Sequence, residues 1–199
     1  MSQSDTFSAA EISAVTGTSL KAVHKVLGER LPTGPASQAE RQHVTRSGVL
    51  CVLLDREMPR DVPLSVRREL YSRILERKTA ARVEVGRGIL SYVVDVTAID
   101  DRIEQALSRY RDIMRLIVED EAIQGGAATF RGTRILVHQI AELVGQGADT
   151  AELQEDYPRL TPEMIAAAPV YARAHPRRGR PRKPSWRAGP ARIGPTREG

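Results

Sequence analysis

SAAEISAVTGTSLKAVHKVLGERL, residues 8–31, reads as two short helices joined by a tight turn. Ser8 followed three positions later by Glu11 makes a capping box: the serine hydroxyl accepts from the backbone while the glutamate reaches back to the cap. Ile12 and Val15 form the inner face of this first helix. Gly17 then takes the left-handed conformation that ends it. Ser19 caps a second helix carrying Leu20, Val23, Leu27 and Leu31 inward. On its other face stand Lys21, His24 and Lys25, residue types that meet phosphates and base edges when such a helix enters a major groove. Ser19, Lys21, His24 and Lys25 are therefore the candidate DNA contacts, against the alternative of an ordinary helical hairpin with a solvated basic face.

Working outward, residues 32–47 are polar and contain two prolines, a loop or hinge. GVLCVLLD (48–55) is a buried strand or helix that periodicity alone does not decide, and Cys51 within it reads as a buried thiol. Residues 63–78 form a helix with Val66, Leu70 and Ile74 inward and five Arg or Lys side chains for its surface. ARVEVGRG (81–88) and ILSYVVDV (89–96) hold β-branched runs around a Gly-Arg-Gly break, a hairpin or two extended pieces. From 99 to 117, Ile99, Ile103, Ala106, Tyr110, Ile113 and Ile117 repeat at gaps of four and three, an apolar seam that packs on the chain's own body or on a second copy.

Past residue 119, Gly125 and Gly126 make a turn, and short extended pieces flank Arg131, Gly132 and Thr133. Three helices follow. Val137, Ile140, Ala141 and Val144 mark the first, Thr150 caps the second, and Thr161 with Pro162 opens the third. Pro169 is expected to kink that last helix or end it early. The fold class is mainly α with short β pieces: an N-terminal helix-turn-helix, a small winged or helix-turn-helix-like three-helix unit, and a disordered basic tail.

The tail concentrates charge. Residues 176–199 hold seven Arg and one Lys against one Glu, a net of +7, while the whole chain is +5, so residues 1–175 carry −2. With five prolines and four glycines among those residues, the tail cannot bury enough surface to fold alone and suits an anionic partner. Over the whole chain, 41% hydrophobic and only 4% aromatic residues favour a body packed with Leu, Val and Ala. A single cysteine excludes an internal disulfide. No apolar run approaches the roughly 18 residues of a membrane span, and MSQSDTFSAAE has no secretory pattern, so a cytoplasmic protein is expected.

Between 117 and 181, EAIQGG (121–126), FRGTRILV (130–137), Gly147, DYPRL (156–160), TPE (161–163) and YARAHPRRGRP (171–181) resemble the small domain of VapB-like antitoxins from type II toxin-antitoxin pairs. Residues 7–31 are similar to the helix-turn-helix that accompanies that domain in longer members. The resemblance implies an antitoxin that silences a cognate PIN-like ribonuclease and represses its own operon as a homodimer or larger complex. It divides the chain into a helix-turn-helix DNA-binding domain (1–78), an extended connector or hairpin (79–98), an antitoxin and dimerisation domain (99–175) and a toxin-binding tail (176–199). PIN-like nucleases gather carboxylates around a divalent metal. Arg177, Arg178, Arg180, Arg182 and Lys183 could engage such a site through charge-assisted contacts, with Trp186, the only tryptophan, as an interface anchor.

A rival stands beside this. Residues 178–182, RGRPR, resemble the core of an AT-hook, in which extended arginines enter the narrow minor groove of A/T tracts. The chain would then be a stand-alone transcriptional regulator. Catalysis is not expected: His24, His43, His138 and His175 lack metal-ligand spacing, Cys51 has no base beside it, and no cofactor-binding motif is present. His138, beside an apolar helical face, reads as a structural histidine.

Overall fold

The computed structural model describes residues 6–30, 44–76, 82–87 and 90–177. It is mainly helical with short antiparallel strand pairs. Strand β1 (Thr6–Phe7) leads into α1 (Ala9–Thr16) and α2 (Leu20–Lys25), which runs on as a π-helical turn over Val26–Arg30. Of the stretch 32–47 read as a loop or hinge, residues 32–43 lie outside the described residues, and β2 (Val44–Thr45) pairs with β1, placing Phe7 opposite Val44.

GVLCVLLD resolves as part of helix α3 (Arg46–Glu57), with every residue from 48 to 54 buried. Apolar on all sides, α3 forms the centre of the first core. At its first turn a Cβ on Gly48 would lie 2.0 Å from Val44 Cγ1, so β2 comes this close to the helix only because residue 48 has no side chain. Cys51 is fully buried, and desolvation, reinforced by Asp55, pushes its thiol up to about 12.

Helix α4 (Leu64–Glu76) buries Leu70, Tyr71 and Ile74. It also buries Arg67, which the sequence reading put at the surface. Arg67 is 6% exposed and paired with Asp55 at 3.1 Å. Its Nε donates to the Val62 carbonyl at 3.1 Å and Nη2 to that of Pro59, so one guanidinium ties α3, the connecting loop and α4 together. Strands β3 (Arg82–Arg87) and β4 (Leu90–Asp95) form a hairpin in the register Arg82 to Asp95 through Arg87 to Leu90. Val83 and Val85 face the core.

Helix α5 (Val96–Arg115) starts earlier and stops sooner than the apolar spacing suggested. Asp95 caps it, its carboxylate accepting from Thr97 N at 3.0 Å, and Ile117 belongs to strand β5 (Ile117–Val118). Val96, Ile103 and Leu107 pack in the first core, whereas Ile113 and Met114 pack on the second. The seam is thus buried within the chain.

The second core is built on the pairing of β5 with β6 (Thr129–Phe130), followed by α6 (Val137–Gly145), α7 (Thr150–Asp156) and α8 (Pro162–Ala174). Phe130, Val137, Ile140, Leu153, Ile165 and Tyr171 fill it. The helix does not end early at Pro169: α8 continues through it to Ala174. Pro169 forfeits one backbone hydrogen bond, and the burial of Ile165, Ala167, Ala168, Tyr171 and Ala174 around it outweighs that loss. The two cores meet where α1 packs on α8.

Candidate nucleic-acid interface

The turn between α1 and α2 is fixed by polar contacts on both sides. Ser8 Oγ accepts from Glu11 N at 3.2 Å, and Ser8 N donates to Glu11 Oε2 at 2.8 Å. Gly17 has φ +66°, the left-handed conformation expected of it. Ser13 Oγ donates to the Thr18 carbonyl at 2.7 Å, Thr18 N to Thr16 Oγ1 at 3.3 Å, and Arg56 of α3 donates to the Thr16 carbonyl. These bonds set the angle at which α2 leaves the body.

Ser19 caps α2, its hydroxyl accepting from Ala22 N at 3.3 Å. Val23 and Val26 are buried beneath the helix, and Arg68 of α4 clamps its far end by donating to the Glu29 carbonyl at 2.9 and 3.2 Å. Lys21, His24 and Lys25 are exposed together with Ser19, so the four candidate DNA contacts lie on one short, anchored helix and its cap. Leu20 corrects the reading: it is 41% exposed and belongs with the outer face.

Beside α2 a cleft of about 700 Å³ opens, with Lys25, Glu29, Arg56, Arg60 and Asp61 among its lining. Asp55 and Arg67 form its wall. Tyr71 Oη donates to Asp55 Oδ1 at 2.6 Å. Burial, then that bond to Asp55, raises the Tyr71 hydroxyl well above the ordinary tyrosine range. The Tyr71 hydroxyl therefore keeps its proton at neutral pH and stays a donor to Asp55.

Of the toxin-binding candidates, Arg177 is described: it is exposed and pairs with Glu142 of α6 at 3.0 Å. Arg178, Arg180, Arg182, Lys183 and Trp186 lie outside the described residues. Arg177 borders a second cleft, of about 480 Å³, with Glu119, His138, Tyr171 and His175. Tyr171 donates to Glu119 and stacks on His175 with ring centroids 4.5 Å apart. His138 meets Tyr171 edge-on at 5.7 Å; burial, then the Arg177 charge, lowers its pKa, which fits the structural histidine expected there. Tyr110 Oη lies 3.2 Å from Glu11 Oε1 and 3.1 Å from His175 Nε2, bridging α1 to the end of α8. This aromatic and polar joint was missed in the sequence, where its members are 65 and 99 positions apart. Among the described residues no three His, Cys, Asp or Glu side chains converge as a metal site, and no helix is long and apolar enough to cross a membrane.

Comparison with known proteins matches residues 117–172 to DUF433, a family described as a protein of unknown function. The matched residues are β5 through most of α8, the whole of the second core. Over 185 residues, covering 87% of this chain and 83% of the relative, the chain is 28% identical to the uncharacterized protein y4eO of Sinorhizobium fredii. No solved structure matches significantly.

Proposed function

We propose that this protein is a DNA-binding antitoxin: the α1–α2 unit reads an operator, and the basic arm after α8 engages and silences a PIN-like ribonuclease. The observation that carries the DNA half is the placement of Lys21, His24 and Lys25 on the exposed side of a helix held by a serine cap, two buried valines and a clamp from α4. Lys21 and Lys25 are four positions apart, so they stand on one face about 6 Å from each other. With its π-helical continuation the segment Leu20 to Arg30 is about 15 Å long, enough to lie in a major groove about 12 Å wide. Lysines there meet phosphates or guanine edges, and His24 adds a donor.

The toxin half rests on the resemblance of residues 117–181 to VapB-like antitoxins and on the +7 charge of residues 176–199. The DUF433 match ends at residue 172, just before that charge begins. Arg177 is held to α6 by Glu142, a surface pair worth little, so the arm can exchange that carboxylate for a partner's. Repression as a homodimer is part of the proposal; the α5 seam, buried inside the chain, is not the surface a second copy would use.

Two measurements test the two halves. In gel-shift titrations against the DNA upstream of its own gene, Lys21→Ala/Lys25→Ala should bind at least about tenfold more weakly, with the salt slope reduced by about 2; unchanged binding removes α2 from the interface. Expression of the neighbouring reading frame should arrest growth, the full chain should rescue it, and a chain ending at His175 should not. Rescue by the shortened chain would sink the toxin-binding role of the arm and favour its action as a minor-groove clamp.

A further inference from the structure

We infer that Arg134 and Arg159 form a phosphate-binding clamp on the C-terminal unit, separate from α2 and from the basic arm. Both residues line one cleft of about 580 Å³ with Ile123, Gly132 and Thr133. No carboxylate lines it, unlike the cleft beside α2, where Glu29, Asp55 and Asp61 face the cations. Among the described residues neither Arg134 nor Arg159 has an ion-pair or hydrogen-bond partner. By contrast Arg46, Arg67, Arg73, Arg102, Arg111 and Arg115 all pair with carboxylates. Two unpaired like charges in one cleft repel each other, and an anion between them relieves that repulsion while accepting planar, charge-assisted hydrogen bonds.

The two loops that carry these arginines are fixed in advance. Gly132 sits at φ +77°, and a Cβ there would meet nothing within 4 Å, so space is left above the turn. Thr133 Oγ1 donates to the Phe130 carbonyl at 2.9 Å and accepts from Ile135 N at 3.1 Å. The neighbouring Arg131 is spent on structure, its N–H donating to the Leu116 carbonyl at 2.8 Å and its Nε to that of Arg115 at 2.8 Å. On the other side, Leu160 is buried, with its N–H donating to the Tyr157 carbonyl at 2.9 Å, which fixes Arg159 beside it. A clamp whose backbone is already ordered loses little freedom on binding. The chemistry it recognises is a phosphate group, whether on a nucleic-acid backbone or on a free phosphorylated ligand.

The test uses the full chain, labelled with nitrogen-15, and follows the Gly132 and Thr133 amides as pyrophosphate or an arbitrary 12-base-pair duplex is added. Saturable shifts at both amides are expected, weakened about tenfold in Arg134→Gln or Arg159→Gln and abolished in the double variant, whose remaining spectrum should be unaltered. Shifts from pyrophosphate alone would mark the source as a free phosphorylated ligand. Shifts from both, in competition, would mark it as a nucleic-acid backbone. Shifts that persist in the double variant, or none in the wild type, overturn the clamp. The readout is local, so anion binding by the arm does not enter it. Lys21→Ala/Lys25→Ala should leave these shifts unchanged, which separates failure of the clamp from failure of operator binding by α2.

Discussion

Arg67 shows how one side chain can carry a loop. Its charge is almost wholly buried, and Asp55, the Pro59 and Val62 carbonyls and the Tyr71 hydroxyl around Asp55 share the cost of desolvation. Arg67→Met removes one partner and leaves Asp55 as a buried charge, so it should destabilise the fold by about 3 kcal/mol; Tyr71→Phe, which leaves the ion pair intact, should cost about 1 kcal/mol. Urea titrations of the two variants give the ranking, and equal losses would contradict it. Cys51 makes a second test, this time of pH. Its thiol lies near 9.0 when unperturbed and at about 12 in the fold, so the native state holds its proton longer than the unfolded state does. Stability from this group is complete below pH 9 and falls as pH rises toward 12. The urea midpoint should decline above pH 9, less steeply in Cys51→Ala, and the native thiol should stay unreactive toward a disulfide reagent until the protein unfolds.

Among the elements, α8 departs most from its sequence. A proline inside a helix costs about 3 kcal/mol relative to alanine, and here the helix continues because buried side chains before and after Pro169 hold it against α6 and α1. Pro169→Ala should therefore raise the thermal midpoint, by up to that amount in free energy; a fall would mean that the ring itself fills space between the helices. The capping signals of Ser8 with Glu11, Ser19 and Thr161 were legible because each bonds within three residues, whereas α7 is capped by Asp149 with Glu152 and not by Thr150, which is its first helical residue. Helix α3 was not legible as a helix, since a run apolar on every side has no periodicity to read. Only its position amid α1, α4 and α5 decides it.

At the scale of the whole molecule, two cores are joined where α1 meets α8, and the polar part of that joint is the Tyr110 hydroxyl between Glu11 and His175. Burial, then Glu11, raises that hydroxyl above the ordinary tyrosine range, so it remains a donor. Tyr110→Phe keeps the packing but removes both bonds, and should speed hydrogen exchange in α1 and the end of α8 by about tenfold, equivalent to roughly 1–1.5 kcal/mol, while leaving the hairpin unaffected. Uniform acceleration everywhere would show that the cores do not open separately. The sequence by itself determined the helix-turn-helix at the start, the order of the later helices and the segregation of positive charge into the last 24 residues. Each of these is written in near-neighbour spacing: a cap three residues from its partner, an apolar side chain every third or fourth position, a run of arginines. Tertiary structure alone decided that Arg67 is buried, that Leu20 faces out, that α5 serves both cores, and that Arg134 and Arg159 share a cleft without a carboxylate. Those facts depend on which surfaces meet across tens of residues of chain, where burial and charge pairing are set by neighbours that local spacing does not name.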